Sequence, residues 1–344
     1  DRVDTCDFVL ELQNGHVASC HESGFIHIWD FSEASCSNPR KVEDLDEMVP
    51  LRSLYHNEGL STFVTEVSNN VIASTVDENI IYLWDLNRDV MHEFVCTIPT
   101  HGHPTALFKL DLYWLIDYTI ISYEHSKINI YAVNLQEKGK VEIHTLLVDE
   151  HPDTSEQFHQ NRSITHVNVL DSGRIITGYA DGDIGMWTML MSEEEEQIYF
   201  KRVRLMRNNV DQNGVSIISS LQLQNGNIVT GNSRGLIQLW KNYKLLSTFG
   251  SSNGHVLSIV QINPEYIISW SKVAAAGYHY DNENQFKIWS CKNVEVEVGA
   301  ITEFDTPGEL RVQDRFYDNT PFVLHDGRLI SGIGGIKIYG TVDD

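Results

Sequence analysis

Cationic side chains are scarce in this chain: its 344 residues carry 25 Lys and Arg against 48 Asp and Glu, a formal net charge of −23. The shortage weighs against binding to a nucleic-acid backbone, which needs clustered Lys and Arg to displace counterions. It weighs equally against docking on anionic lipid. Cysteine is sparse as well. Cys6, Cys20, Cys36, Cys96 and Cys291 show no C-x-x-C spacing, and an odd count cannot pair fully within one chain. Free thiols in a reducing compartment are expected, which places the protein in the cytoplasm or nucleus, with Cys20 and Cys96 filling space on strands. Long hydrophobic runs are missing: the apolar stretches are strand-length and interrupted by polar residues, so no membrane insertion is expected and nothing resembles a signal peptide.

Catalytic signatures are thin too. No Gly-rich phosphate loop and no H-E-x-x-H occurs. Histidines crowd the middle of the chain at His92, His101, His103, His125, His144, His151, His159 and His166, yet only His101-Gly102-His103 has a spacing suggestive of metal ligands. Neither a cofactor nor a metal is expected, and the chain reads as non-catalytic. Asn161-Arg162-Ser163 is a formal glycosylation triplet of a kind that arises often by chance.

What is abundant is repetition. A hydrophobic residue followed by an indole or phenol recurs seven times, at Trp29, Trp84, Tyr131, Trp187, Trp240, Trp289 and Tyr339. Spacing of about fifty residues signals a solenoid, propeller or array. The best preserved unit runs from Ser220 to Trp240 and contains three period-two stretches. Gln224-Asn225-Gly226 closes one hairpin and Ser233-Arg234-Gly235 the next. A further hydrophobic stretch precedes each unit, such as Lys244 to Phe249 or Glu93 to Ile98, and is taken as an inner strand. Four strands make a propeller blade, with the aromatic-ended strand outermost and its ring lying between blades. The expectation is an all-β chain, one domain over residues 1–344, forming a single seven-bladed β-propeller of four-stranded antiparallel blades.

The pairs Trp29-Asp30 and Trp84-Asp85, with Gly102-His103 and Gly254-His255 ahead of second strands, resemble a divergent member of the WD-repeat family. The resemblance covers nearly the whole chain and implies an interaction platform without naming its partner. One departure concerns blade one. It begins at Asp7 to Leu12, which matches a second strand, so its innermost strand is expected upstream of Asp1, or else residues 340–344 curl in to supply it.

The resemblance also implies that connections from an outer strand to the next inner strand, and turns between second and third strands, share a top face. Acidic residues map onto those connections: Glu43, Asp44, Asp46 and Glu47; Asp149, Glu150, Asp153 and Glu156; Glu193, Glu194, Glu195 and Glu196; then Glu295 and Glu297. A negative top surface would steer a Lys/Arg-rich segment toward it. For any single run the alternative is a solvated loop that keeps the protein soluble. Tyr113 and Trp114 sit in an enlarged turn assigned to that same face, either as interface anchors or folded back on their own blade. On the opposite face, residues 272–284 replace a short turn and carry Tyr278 and Tyr280 as secondary contacts, in a lengthened hairpin or a mobile loop. Residues 305–318 form another long connection there.

The function these features imply is a non-catalytic protein-interaction scaffold, a subunit of a larger complex, whose acidic face binds a basic protein or peptide segment. One alternative is the substrate receptor of a ubiquitin-ligase-type assembly with its recruiting domain upstream. Another is an enzyme or small-molecule binder using the axial channel.

Overall fold

Period-two runs bounded by Asn, Asp and Gly become antiparallel strands throughout the chain. The computed structural model describes residues 6–30, 49–56, 61–76, 80–88, 94–100, 107–109, 118–124, 127–134, 140–147, 164–170, 172–191, 198–206, 215–250, 254–273, 283–290, 322–323, 329–331 and 337–339. Among these residues there is no helix, and seven antiparallel sheets form, in each of which chain order is also spatial order.

The first sheet is β1 (Cys6–Glu11), β2 (Val17–His21), β3 (Phe25–Trp29) and β4 (Arg52–Tyr55). The second is β5 (Ser61–Ser68), β6 (Val71–Val76), β7 (Ile80–Asp85) and β8 (Phe94–Pro99), and the third is β9 (Leu107–Lys109), β10 (Tyr118–Glu124), β11 (Lys127–Asn134) and β12 (Lys140–Leu147). The fourth comprises β13 (Ile164–Val169), β14 (Ile175–Tyr179), β15 (Ile184–Met191) and β16 (Ile198–Met206). The fifth comprises β17 (Ile217–Gln222), β18 (Ile228–Asn232), β19 (Leu236–Lys241) and β20 (Lys244–Gly250). Three described strands make up the sixth, β21 (His255–Asn263), β22 (Tyr266–Val273) and β23 (Glu283–Ser290), and three the seventh, β24 (Phe322–Val323), β25 (Leu329–Ser331) and β26 (Lys337–Tyr339). Contacts divide the chain into two compact units: Asp1–Glu124 with Ile128–Thr145 and Phe316–Asp344, and His125–Lys127 with Leu146–Arg315.

Two expectations about strand order are overturned. The aromatic-ended strand is third in its sheet, and the hydrophobic stretch that follows it is the outermost strand of that same sheet. Trp240 pairs with Leu245 on β20, and Trp84 with Phe94 on β8. The reason is visible in the hairpin: Asn242 and Tyr243, with φ of 50° and 64°, make a two-residue turn that leaves no room for a crossover to another sheet. The exposure of β20 alternates along its length, as an edge strand covered on one side should. Blade one, moreover, has four strands among the described residues. β1 is the first strand of a complete four-stranded sheet and pairs with β2 from Cys6 to Glu11.

The turns fall where Asn-Gly chemistry places them. Leu223 N–H donates to Asn227 O at 2.8 Å, and Gly226, at φ 80°, donates back to Leu223 O at 2.8 Å. The same pair of bonds closes the turns at Leu12 to His16 and Leu170 to Arg174. A bulge recurs near the start of the first strand in five sheets, between Cys6 and Phe8, Ser61 and Phe63, Ile164 and His166, Ile217 and Ser219, and Val256 and Ser258. A second bulge falls at the tryptophan itself in three sheets, opposite Trp84, Trp187 and Trp240. Each bulge raises the local right-handed twist, which a radially stacked sheet needs.

Packing explains which strands are wholly buried. β2, β14 and β18 are buried at every residue. In the first unit, Leu12, Ile26 and Leu54 pack against Val64, Ile72 and Trp84 of the next sheet, while Tyr131 and Val133 pack onto Ala73, Ile81 and Leu83. In the second, Trp240 joins Ile176, Ile184 and Met186, and Trp289 joins Leu223, Val229 and Ile237. Each of these four aromatics therefore seals its own sheet onto the preceding one. The thiols behave as space-filling groups: Cys20 is fully buried and Cys96 partly so.

The approach between sheets is tightest at glycine. A Cβ on Gly231 would lie 2.5 Å from Val256 Cγ1 and 2.7 Å from Val256 Cβ, both on the neighbouring first strand. At Gly15 a Cβ would meet nothing within 4 Å, although φ is +82°. Gly231→Ala is thus expected to cost about 1–3 kcal/mol through overpacking, and Gly15→Ala about 1 kcal/mol through backbone strain alone. Urea unfolding of the two variants checks that order.

Candidate interaction surfaces

Polar side chains inside the sheets are used to bind strand to strand. A buried indole N–H must find an acceptor. The indole Nε1 of Trp29 donates to Ser19 Oγ (2.8 Å), Trp84 to Ser74 Oγ (2.8 Å), Trp187 to Thr177 Oγ1 (3.0 Å) and Trp240 to Thr230 Oγ1 (3.0 Å), always ten residues back on the second strand. Trp289 does the same to Ser269 across twenty residues, at 2.8 Å. Each of these tryptophans ties its third strand to the second strand of its own sheet.

His56 extends one of these bonds into a chain. Its Nδ1 faces the carbonyl of Gly24 at 3.2 Å, which can only accept, so the proton sits on Nδ1. Nε2, 2.9 Å from Ser74 Oγ, is then the acceptor for the hydroxyl that itself accepts from Trp84. Burial lowers the His56 pKa to about 4, and the same cause takes His166, 2.9 Å from Ser220 Oγ on the next sheet, to about 4. His103, of the Gly102-His103 pair, lies outside the described residues. His255, at the other Gly-His pair, begins β21 and is exposed.

Turns are tied between sheets in a similar way. Glu66 Oε2 accepts from Gln13 N–H at 2.6 Å and its Oε1 from Asn70 N–H at 3.1 Å, so one carboxylate clamps two hairpins. Asn14 donates to Asn70 Oδ1 at 2.6 Å and Asn70 to Asn87 Oδ1 at 3.0 Å. In the second unit Gln261 Oε1 takes the Gln224 N–H at 2.9 Å.

The recognition residues expected from the sequence lie outside the described residues, all in connections. Glu43, Asp44, Asp46 and Glu47 belong to the segment joining β3 to β4, and Glu193, Glu194, Glu195 and Glu196 to the segment joining β15 to β16. Tyr113 and Trp114 fall between β9 and β10, Asp149 and Glu150 between β12 and β13, and Tyr278 and Tyr280 between β22 and β23. The acidic runs differ in which strands they follow and precede. In an antiparallel meander successive connections alternate between the two ends of a sheet. The first two acidic segments join third to fourth strands, whereas Asp149 and Glu150 lie between the fourth strand of the third sheet and the first strand of the fourth.

Two features were passed over. Gly250-Ser251-Ser252-Asn253-Gly254 has the spacing of a hydrolase nucleophile turn, but it joins strand β20 to strand β21, where that chemistry requires strand to helix. The second is a cationic cluster on a chain poor in cations. β16 carries Lys201, Arg202 and Arg204; the Arg202 guanidinium carbon lies 5.9 Å from the Trp187 ring centroid and that of Arg204 lies 5.7 Å from Tyr243. Arg174 Nη1 donates to the Tyr243 hydroxyl at 2.6 Å. The signal was the short run Lys-Arg-Val-Arg, outweighed by the net charge of the whole. Among the described residues no group of three or more His, Cys, Asp or Glu side chains could hold a metal ion.

Meandering antiparallel sheets, five of them holding an indole bonded to a second-strand hydroxyl, and a likeness to solved WD40 structures give this chain the fold of a WD-repeat β-propeller. No protein-family model matches it, and no curated protein matches it in sequence. Among solved structures it is similar to U3-55K, with a TM-score of 0.58 and 14% identity over 97% of this chain and 90% of that one. It is similar to the WD40 repeats of RRP9 to the same degree, TM-score 0.58 and 14% identity, covering 97% of this chain and 88% of the other.

Removing the shared acceptor should be felt at both of its partners. Ser74→Ala leaves the Trp84 N–H and His56 Nε2 without it and is expected to cost about 1–3 kcal/mol in chemical denaturation. A pH dependence follows from the histidines. Their pKa values are depressed in the folded state, so the unfolded chain binds more protons at acid pH. Stability is complete above about 6.5 and is lost as pH falls from there toward 4, by roughly 3 kcal/mol at most for His56. Denaturation midpoints across that range should drop less steeply in His56→Gln than in the parent.

Proposed function

We propose that this protein is a non-catalytic seven-bladed propeller that acts as a protein-interaction scaffold and offers acidic connections to a basic segment of its partner. The observation that carries the reading is the division of polar groups. Inside the sheets the indoles, hydroxyls, His56, His166, Glu66 and Gln261 are engaged in holding strands and turns together. Recognition is left to the connections, and those hold the concentrated charge of a chain with net charge −23. Seven sheets among the described residues, with alignment to WD40 structures over 97% of the chain, support seven blades and one domain. The strand order favours Glu43, Asp44, Asp46 and Glu47, with Glu193 to Glu196, as contact points, since both runs sit in third-to-fourth-strand hairpins. Asp149 and Glu150 are not part of that set. The setting that suits free thiols is the cytoplasm or nucleus, within a larger assembly.

An acidic surface attracts its partner through a screened field, so binding of a Lys/Arg-rich peptide should weaken by about tenfold or more between low and high salt. The fourfold variant Glu43→Lys, Asp44→Lys, Asp46→Lys, Glu47→Lys should lose most of that binding while unfolding normally. Titration calorimetry at two ionic strengths measures both. Affinity indifferent to salt and to the reversal would sink the proposal.

A further inference from the structure

The few cations of the chain are not scattered evenly. Three of them occupy four consecutive positions of β16, at Lys201, Arg202 and Arg204. The bulge at Trp187 separates the two arginines: Arg202 pairs with Trp187 and Arg204 with Met186, which are successive residues of β15 and so face opposite sides of the sheet. Met186 points into the core shared with the fifth sheet. Arg204 follows it and reaches Tyr243 in the β19–β20 turn. There it meets Arg174, which comes from the β13–β14 turn and bonds the same phenol at its hydroxyl.

Two guanidiniums therefore converge on one tyrosine, and Lys241 and Lys244, both exposed, flank it in sequence. Among the described residues none of these four cations has a carboxylate within ion-pair distance. Like charges gathered close together repel one another, and a bound anion relieves that repulsion. The turn supplies a second, independent observation. Tyr243 holds φ at 64°, where glycine is the usual residue, at a cost of order 1 kcal/mol. Strain of that kind concentrates at functional sites. Here the gain from it is the placement of a phenol between Arg174 and Arg204. A guanidinium over an aromatic face keeps its N–H edge open for a carboxylate.

We propose that Arg174, Arg204, Lys241 and Lys244, arranged around Tyr243, form a docking point for an Asp/Glu-rich segment of a partner protein. Exposed Val203 and Leu246, 42% and 41% accessible on the outermost strands β16 and β20, offer apolar contacts beside the charges. A protein segment fits better than a nucleic acid. A short acidic peptide places its charges within reach of the cluster, while an extended polyanion meets the repulsion of a chain with net charge −23. Its polarity is the reverse of that of the acidic connections.

The test uses the full chain and a fluorescent Glu-rich peptide followed by anisotropy, with a Lys/Arg-rich peptide and a single-stranded RNA of similar length as comparators. Arg174→Gln/Arg204→Gln should weaken the Glu-rich peptide about tenfold or more and leave the basic peptide unaffected. Lys241→Gln/Lys244→Gln should weaken it by a smaller factor. Arg174→Lys/Arg204→Lys, which keeps charge without the planar fork and guards against a folding defect, should fall between parent and the Gln pair. The Lys reversals at residues 43, 44, 46 and 47 should leave the acidic peptide bound, so this proposal and the scaffold reading fail independently. Equal affinity of parent and Arg174→Gln/Arg204→Gln, no measurable binding of the Glu-rich peptide, or tighter binding of RNA than of peptide would each overturn it.

Discussion

A buried indole N–H has to be answered within its own sheet, and that demand organises the rest. Each of five tryptophans on third strands bonds a second-strand hydroxyl, which locks the register of the central hairpin. With its polar edge satisfied, the apolar ring is free to press on the preceding sheet, as Trp84, Trp240 and Trp289 do. An unanswered donor there would cost more than one hydrogen bond contributes, because the group is removed from water whether or not it is paired. The serine or threonine is consequently as important to the fold as the tryptophan. Where His56 adds a third member, the chain of bonds reaches from Trp84 through Ser74 to the backbone of the first sheet at Gly24.

The period of the repeat and the existence of strands were legible from Trp29, Trp84, Trp187, Trp240 and their turn residues, since alternation and Asn-Gly turns are local properties. The phase of the repeat was not. Lys244 to Phe249 is hydrophobic enough to read as an inner strand, but the turn at Asn242 and Tyr243 makes it the outer partner of Trp240. Tyrosine is a poor advertisement for a positive-φ turn, so the hairpin was hidden by an unusual residue at its tip. A shift of one strand also moves every connection to the other end of its sheet.

Charge makes the same point at a finer scale. A net value of −23 describes the field at a distance and says nothing about where a minority of cations collects. Arg174 and Arg204 are thirty residues apart and belong to different strands, and Tyr243 is further still. They become neighbours only because the fourth and fifth sheets pack face to face and a bulge rotates Arg204 toward the gap.

By itself, then, the sequence determined that this chain would be antiparallel β-structure in aromatic-ended repeats, because alternation, turn chemistry and buried indoles act over ten or twenty residues. It also determined that the connections would carry acid. Tertiary structure decided which strand stands at the edge of each sheet, which histidine is buried, and which cations gather around one phenol. Those outcomes depend on distances between groups far apart along the chain, and such distances are set by how one sheet packs on the next.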